Sequence, residues 1–290
     1  MTDTSASSML EPNDGQLHET HGETTSLNRD SEPLLGRGDP PPFTLLNENG
    51  QAPLVIFCDH AGRAIPRKLG NLGLTPGELA QHIAWDIGIA NVAAILARNL
   101  DAPCVLSNYS RLVIDCNRRL DDPTSIAQES DRIVVPGNRG LDGLARAHRA
   151  EEIFKPYHFA VADLIKKKRE AGPVTAILSL HSFTPVMNGF KRPWHFGVLW
   201  NRDARLPIPL MQRLAQLPHV VVGDNEPYSG RDEHGFSIIY HAEAQGLPHA
   251  LIEIRQDLIS DEAGVNRWTA KLETAVKGLL IDPTIFPQRK

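Results

Sequence analysis

No apolar stretch in this chain approaches the roughly 20 residues that a membrane-spanning helix needs, and no basic-then-apolar segment opens it. A membrane partner is therefore not expected. Cysteine is scarce: Cys58, Cys104 and Cys116 are the only three, none in a CxxC pair, and all lie in or beside apolar runs. An odd count in that setting is the pattern of reduced core thiols in a cytoplasmic protein. Also missing is an HExxH pair, so no helix carries that ready-made metal motif. The longest basic run is only four residues, Lys166-Lys167-Lys168-Arg169. Residues 1–41 hold eight acidic and two basic residues, which leaves the rest of the chain one charge above neutral. A near-neutral body without a basic stripe argues against nucleic acid as the partner.

The first forty residues lack apolar periodicity, are rich in Ser, Thr, Gly, Pro and Asp, and end in Pro40-Pro41-Pro42. Such a segment buries too little surface to offset its ordering entropy. Residues 1–42 are accordingly expected to be a disordered acidic tail, and 43–290 a catalytic domain. At 290 residues and 41% hydrophobic, the chain can bury a substantial core.

What is present is a repeated pattern. Leu54-Val-Ile-Phe-Cys-Asp-His60, Ala176-Ile-Leu-Ser-Leu-His181 and Ala250-Leu-Ile-Glu253-Ile-Arg255 are short apolar runs that end in chemically active side chains. Runs of this kind read as buried strands of a parallel sheet, and ligands of open α/β sheets bind beyond the carboxyl ends of the strands. Three such ends predict one site assembled from distant segments, and hence an enzyme. Further strands are expected near 104–108, 112–116, 195–200, 219–223 and 236–241. Helices are expected from the Thr75-Pro76-Gly77-Glu78 capping box to about 100, over 141–171 with a break at Pro156, and near 205–216 and 262–280. The alternation predicts an α/β sandwich whose mixed central sheet is covered by helices on both faces.

Histidines at two equivalent strand ends, His60 and His181, point to metal coordination. Gly62, just after His60, is expected to let the backbone approach a ligand. Read as one helix face, His82 and Asp86 are spaced i, i+4 and supply the third ligand. Asp86 is preferred, because two His and one carboxylate form a Zn²⁺ set with an open position. A surface His–Asp pair would have the same spacing. In Ser110-Arg111-Leu-Val-Ile-Asp115-Cys-Asn117-Arg118, Asp115 suits the distal nitrogen of a metal-bound His. Asn117 and Arg118 suit a substrate carboxylate. An Asp–Arg ion pair stitching a loop fits the same spacing.

These segments, with His82-Ile-Ala-Trp-Asp86-Ile-Gly88, His181-Ser-Phe-Thr-Pro185, Arg192-Pro-Trp-His195, Gly223-Asp-Asn-Glu-Pro-Tyr228 and Glu253-Ile-Arg-Gln-Asp257, resemble the N-formylglutamate amidohydrolase family over residues 50–280. The resemblance implies a zinc-dependent amide hydrolase with a three-layer fold like that of the zinc carboxypeptidases, with a mixed, mostly parallel sheet. It implies Glu253 as the catalytic acid/base, Asp115 and His82 as supports of the metal ligands, and Asn117 and Arg118 as the grip on the substrate carboxylate. Arg111 is then expected to stabilise the oxyanion, Arg255 to bind a second carboxylate, and Tyr228 to sit on a loop closing over an N-acyl amino acid. The chain departs from the carboxypeptidase pattern at Arg63, where a ligand Glu would stand. The acyl group, the amino acid and the oligomeric state stay open.

Overall fold

The structure, a computed structural model, describes residues 32–172, 175–232 and 235–286. In chain order its strands are β1 (Phe43–Leu46), β2 (Leu54–Cys58), β3 (Cys104–Ser107), β4 (Glu129–Ser130), β5 (Ile133–Val134), β6 (Ala176–Phe183), β7 (Val186–Met187), β8 (Phe190–Lys191), β9 (Phe196–Leu199), β10 (Val222–Asp224) and β11 (His249–Arg255). Seven of them form the central sheet in the order β1-β3-β2-β6-β11-β9-β10, while β4–β5 and β7–β8 are separate two-stranded ladders. Strands β3, β2, β6 and β11 run parallel to one another, as β10 does to β9. The antiparallel pairs are β1 with β3 and β9 with β11.

The helices are α1 (Pro76–Leu79), α2 (Ile89–Asn99), α3 (Gly143–Arg149), α4 (Lys155–Ala171), α5 (Pro207–Ala215), α6 (Ser237–His241) and α7 (Glu262–Leu280). Helices α2, α5 and α7 cover one face, packing Val92, Leu96, Leu210 and Leu272 against Ile56, Leu178 and Ile252. The other face places Val55, Phe57 and Ile177 under Tyr157, Val161 and Leu164 of α4. Strands covered on both faces must be apolar at every position, which is why all five residues of β2 and all eight of β6 are buried. The expected three-layer sandwich with a mixed, mostly parallel sheet is what the chain forms. Among the described residues no helix is long and apolar enough to cross a membrane.

Several expected elements differ. The capping box at Thr75 is real, with Glu78 N donating to Thr75 Oγ1 at 3.2 Å, but α1 lasts four residues. The chain then leaves helical geometry because its groups bond outward, Asp86 N to His60 O at 2.9 Å and Ala84 O to Arg111 N at 3.2 Å. Helix α2 starts only after Gly88, at φ 82°, where a Cβ would lie 2.1 Å from Ile259 O. His82 and Asp86 therefore share no helix face. The expected strand at 112–116 is a run of turns, with Val113 N bonded to Ser110 O at 2.9 Å. The expected strand at 236–241 is the short helix α6. Pro156 does not break its helix, because a π-helical turn (Ala150–Phe154) precedes it and places it in the first turn of α4.

The expected tail also ends early. Leu34 is buried in the core, and the N–H groups of Leu34 and Leu35 donate to the Glu152 carboxylate at 2.7 and 2.8 Å. Tyr109 Oη donates to Pro40 O at 2.6 Å. Residues 32–42 are thus docked on the body, and the part of the tail before residue 32 lies outside the described residues.

Candidate active site

Because β2, β6 and β11 are parallel, their carboxyl ends meet at one edge of the sheet. His60 follows β2, His181 lies in β6, and Glu253 of β11 stands in register beside His181. Asp86 arrives from the loop between α1 and α2. Ligand atoms of His60, Asp86 and His181 all lie within 4.8 Å of one another, and all three residues are buried. His181 Nδ1 is 2.9 Å from Asp86 Oδ2. His60 Nδ1 is 3.6 Å from the same oxygen and has no hydrogen-bond partner. Each ring has a carboxylate behind it: His60 Nε2 is 2.6 Å from Asp115 Oδ1, and His181 Nε2 is 3.2 Å from Asp59 Oδ2. Carboxylates so placed fix ring orientation and raise ligand basicity.

A buried, unpartnered imidazole nitrogen is costly without a partner. Aimed at a buried carboxylate and a second imidazole, it fits a metal ion held by two His and one carboxylate. Burial alone would raise the Asp86 carboxyl, but the facing His60 and His181 hold it far below the usual range. Burial would likewise lower His181, yet Asp59 and Asp86 raise it to about 10.

Glu253 is 6% exposed with Oε2 unpartnered. Burial pushes its carboxyl up to about 7, against the pull of His181, His60 and Arg111. Arg111 is clamped by Asp115, its Nε and Nη2 donating to Oδ2 at 3.0 and 2.7 Å, with Nη1 3.8 Å from Asp86 Oδ1. Glu253, Arg111, Arg118 and Tyr228 line one cavity of about 310 Å³ with the three candidate ligands.

Other expected roles do not hold. Arg255 turns away from the cavity: Nε donates to Asp257 Oδ1 at 2.8 Å and Nη1 to Arg192 O at 3.1 Å. It is the last residue of β11, still paired with Phe183 of β6, but its donors are taken by Asp257 and backbone carbonyls rather than offered to a second carboxylate. His82 supports no ligand. Its Nε2 faces Asp131 Oδ2 at 3.4 Å, since the broken helix carries it to the cavity rim. Asn117, by contrast, lines the cavity, as expected of a substrate contact; its Oδ1 accepts from Phe236 N and Ser237 N at 2.9 and 3.0 Å, which leaves Nδ2 as the donor it can offer. Gly62 approaches backbone rather than ligand, for a Cβ there would lie 2.1 Å from Asn108 O. Arg63 lies over the Trp85 ring at 5.2 Å.

Asp59 escaped the sequence reading as a site residue. Its Oδ1 accepts from Tyr157 Oη at 2.9 Å and Ser237 Oγ at 2.6 Å, which aims Oδ2 at His181. Strand alternation from Phe57 was the available signal. Tyr157 and Ser237, from α4 and α6, had none.

Fold and site together define an α/β protein with a buried cluster of candidate metal ligands and an acid/base group at the carboxyl ends of its strands, where open α/β sheets bind their ligands. A family model for N-formylglutamate amidohydrolase matches residues 52–260, and the chain belongs to that family, whose members hydrolyse amides of the N-acyl amino acid type. A gene product from Agrobacterium tumefaciens superposes with a TM-score of 0.82 at 31% identity, covering 85% of this chain and 98% of that one. The N-formylglutamate amidohydrolase from Ralstonia eutropha JMP134 superposes with a TM-score of 0.65 at 20% identity, covering 82% and 97%. Comparison with curated protein sequences finds no match.

Proposed function

We propose that this chain is a zinc-dependent cytoplasmic hydrolase that cleaves the amide of an N-acyl amino acid, with N-formyl amino acids as its simplest substrates. The observation that carries this reading is the pairing of an unpartnered His60 Nδ1, turned toward Asp86 and His181, with an unpartnered Glu253 carboxyl in the same cavity. His60, Asp86 and His181 would hold the ion. When bound, Zn²⁺ supplies a Lewis acid that makes water a nucleophile near neutral pH.

The remaining work belongs to the chain. Glu253, raised to about 7 by burial, takes a proton from the attacking water and returns it to the departing amine nitrogen. Arg111, held rigid by Asp115, keeps Nη1 directed at the cavity, where it offsets charge developing on the carbonyl oxygen. Arg118 donates to Asn117 O at 2.8 Å through Nη1. Among the described residues no carboxylate lies in ion-pair range of it, so its guanidinium is placed to take the substrate's α-carboxylate. Tyr228, on a loop at the mouth, stacks over Arg192 at 4.9 Å and closes one wall. Three free, buried thiols support the cytoplasmic setting.

Metal analysis of the purified protein, followed by a panel of N-formyl, N-acetyl and peptide substrates, tests the reading. One equivalent of metal and turnover of an N-acyl amino acid are expected. Turnover of peptides alone would replace this reading with a peptidase, and neither metal nor turnover would leave a carboxylate-binding protein.

A further inference from the structure

The cavity continues past Glu253 along the face of the sheet. Residues 253, 251 and 249 of β11 point to the same side, and Glu253, Leu251 and His249 all line it. Leu199 of β9 stands opposite Leu251 in register, and Ile238 and Ile239 of α6 complete the wall. Leu199, Leu251 and Ile238 are buried at 5–8% exposure, so what they face is the cavity rather than open solvent. The lining also includes Glu243, whose Oε1 accepts from Asn201 Nδ2 at 3.0 Å and lies 3.9 Å from the exposed Arg202 Nε. This part of the lining, a lobe of the cavity, is mostly apolar, with His249, Asn201 and the Glu243 carboxylate as its polar members.

Resting on the reading above, we infer that the lobe receives the side chain of an N-acyl amino acid that is apolar, and that the enzyme does not prefer a dicarboxylic substrate such as N-formylglutamate. Three observations carry this. A second substrate carboxylate in the lobe would be desolvated among Leu199, Leu251 and Ile238, which is costly without a partner. It would also face Glu243, a group of like charge. The cation expected to neutralise it, Arg255, is paired with Asp257 outside the cavity. The lobe takes the side chain rather than the acyl group because it shares a wall with the carboxylate site. Asn117, adjacent to Arg118, accepts the first N–H groups of the segment that carries Ile238 and Ile239. Two groups that leave the same α-carbon must enter neighbouring subsites.

The test uses the metal-loaded wild-type protein with N-formyl-L-leucine, N-formyl-L-methionine and N-formyl-L-glutamate. The apolar substrates are expected to exceed glutamate in kcat/KM by about 10- to 200-fold, the range for a hydrophobic pocket. Calorimetry should show L-leucine binding more tightly than L-glutamate. Glutamate equal or preferred in both measurements overturns the inference and leaves the amidohydrolase reading standing. Turnover of no N-acyl amino acid overturns both. Ile239→Lys, at a half-buried position, places a cation in the lobe and should narrow the preference at least about tenfold. An unchanged ratio in a folded variant would mean that the side chain does not enter there. If the variant does not fold, the wild-type panel and the calorimetry decide.

Discussion

Two pairs of buried histidines lie in this molecule, and they have opposite characters. His60 and His181 have ring centroids 4.9 Å apart, and His158 and His241 5.1 Å apart. All four are at most 6% exposed. The first pair is surrounded by Asp59, Asp86 and Asp115. Burial still opposes a proton on His181, but Asp59 and Asp86 outweigh it and lift its pKa to about 10. Among the described residues no carboxylate is within hydrogen-bond or ion-pair range of the second pair, and Asp59 acts on it only from farther off. His158 Nε2 donates to Cys116 O at 2.9 Å, so its Nδ1 must accept from His241 Nε2 at 2.9 Å. Both rings are then neutral, and burial holds them down to about 4 and about 3. Depth in the protein is the same. The neighbouring carboxylates decide whether a buried histidine is a cation site and metal ligand or a packing group.

The sharpest way to break this comparison is to remove one ring from each pair. His181→Ala should abolish metal retention and hydrolysis together, because it deletes a ligand that faces Asp86 at 2.9 Å. His158→Phe should keep both, since its ring packs against Phe154 and Phe236. Metal content and turnover of the two purified variants check this. Full metal occupancy in His181→Ala would remove the candidate centre.

The next largest effect is expected at Glu253, which is buried like the histidines yet has an oxygen without a partner. Glu253→Gln keeps the shape and removes the acid/base. Turnover should fall by about 10²- to 10⁴-fold, while metal content and melting temperature hold. A lower melting temperature with unchanged turnover would make Glu253 a structural group.

A smaller effect is expected one layer out. Asp59→Asn and Asp115→Asn leave the ligands present but replace the carboxylates behind His181 and His60. Changes of this kind weaken metal affinity about 10- to 100-fold, which competition with a chelator measures. Affinity unchanged from the wild-type protein in both variants would mean that packing alone orients the rings.

Much of this was legible in the sequence, for identifiable reasons. Strands β2, β6 and β11 were readable because burial on both faces forces an unbroken apolar run, and the active side chains follow directly at their ends. His60, His181, Glu253 and the Asp115 contact came from that pattern and from the family resemblance. Asp86 was chosen through a helix face that does not exist, and it reaches the site because Gly88 and the His60 carbonyl end that helix early. Arg255 misled because strand alternation fixes the side of the sheet but not the partners a long side chain finds there, here Asp257 and the Arg192 carbonyl. The docking of residues 32–42 was invisible, because it rests on Glu152, more than 100 residues away. Helix α6 was read as a strand because alternating apolar residues over six positions do not separate the two.

The smallest and most specific test concerns the second histidine pair. In the folded protein both rings stay neutral into the acid range, while in the unfolded chain each titrates near the ordinary value of 6.5. Below that value the unfolded chain takes up protons that the folded one refuses, so stability falls as pH drops. The loss runs from 6.5 down to about 4 for His158 and about 3 for His241. Above 6.5 the pair contributes no pH dependence. Each ring should add about 1.4 kcal/mol per pH unit inside its window. Denaturant unfolding between about pH 6 and 4.5 measures the slope, and His241→Phe provides the comparison because every other titrating group is shared. The variant's slope should be shallower by about 1.4 kcal/mol per pH unit. An unchanged slope would mean that His241 already carries a proton in the folded state, and the contrast between the two pairs would then fail at its neutral member.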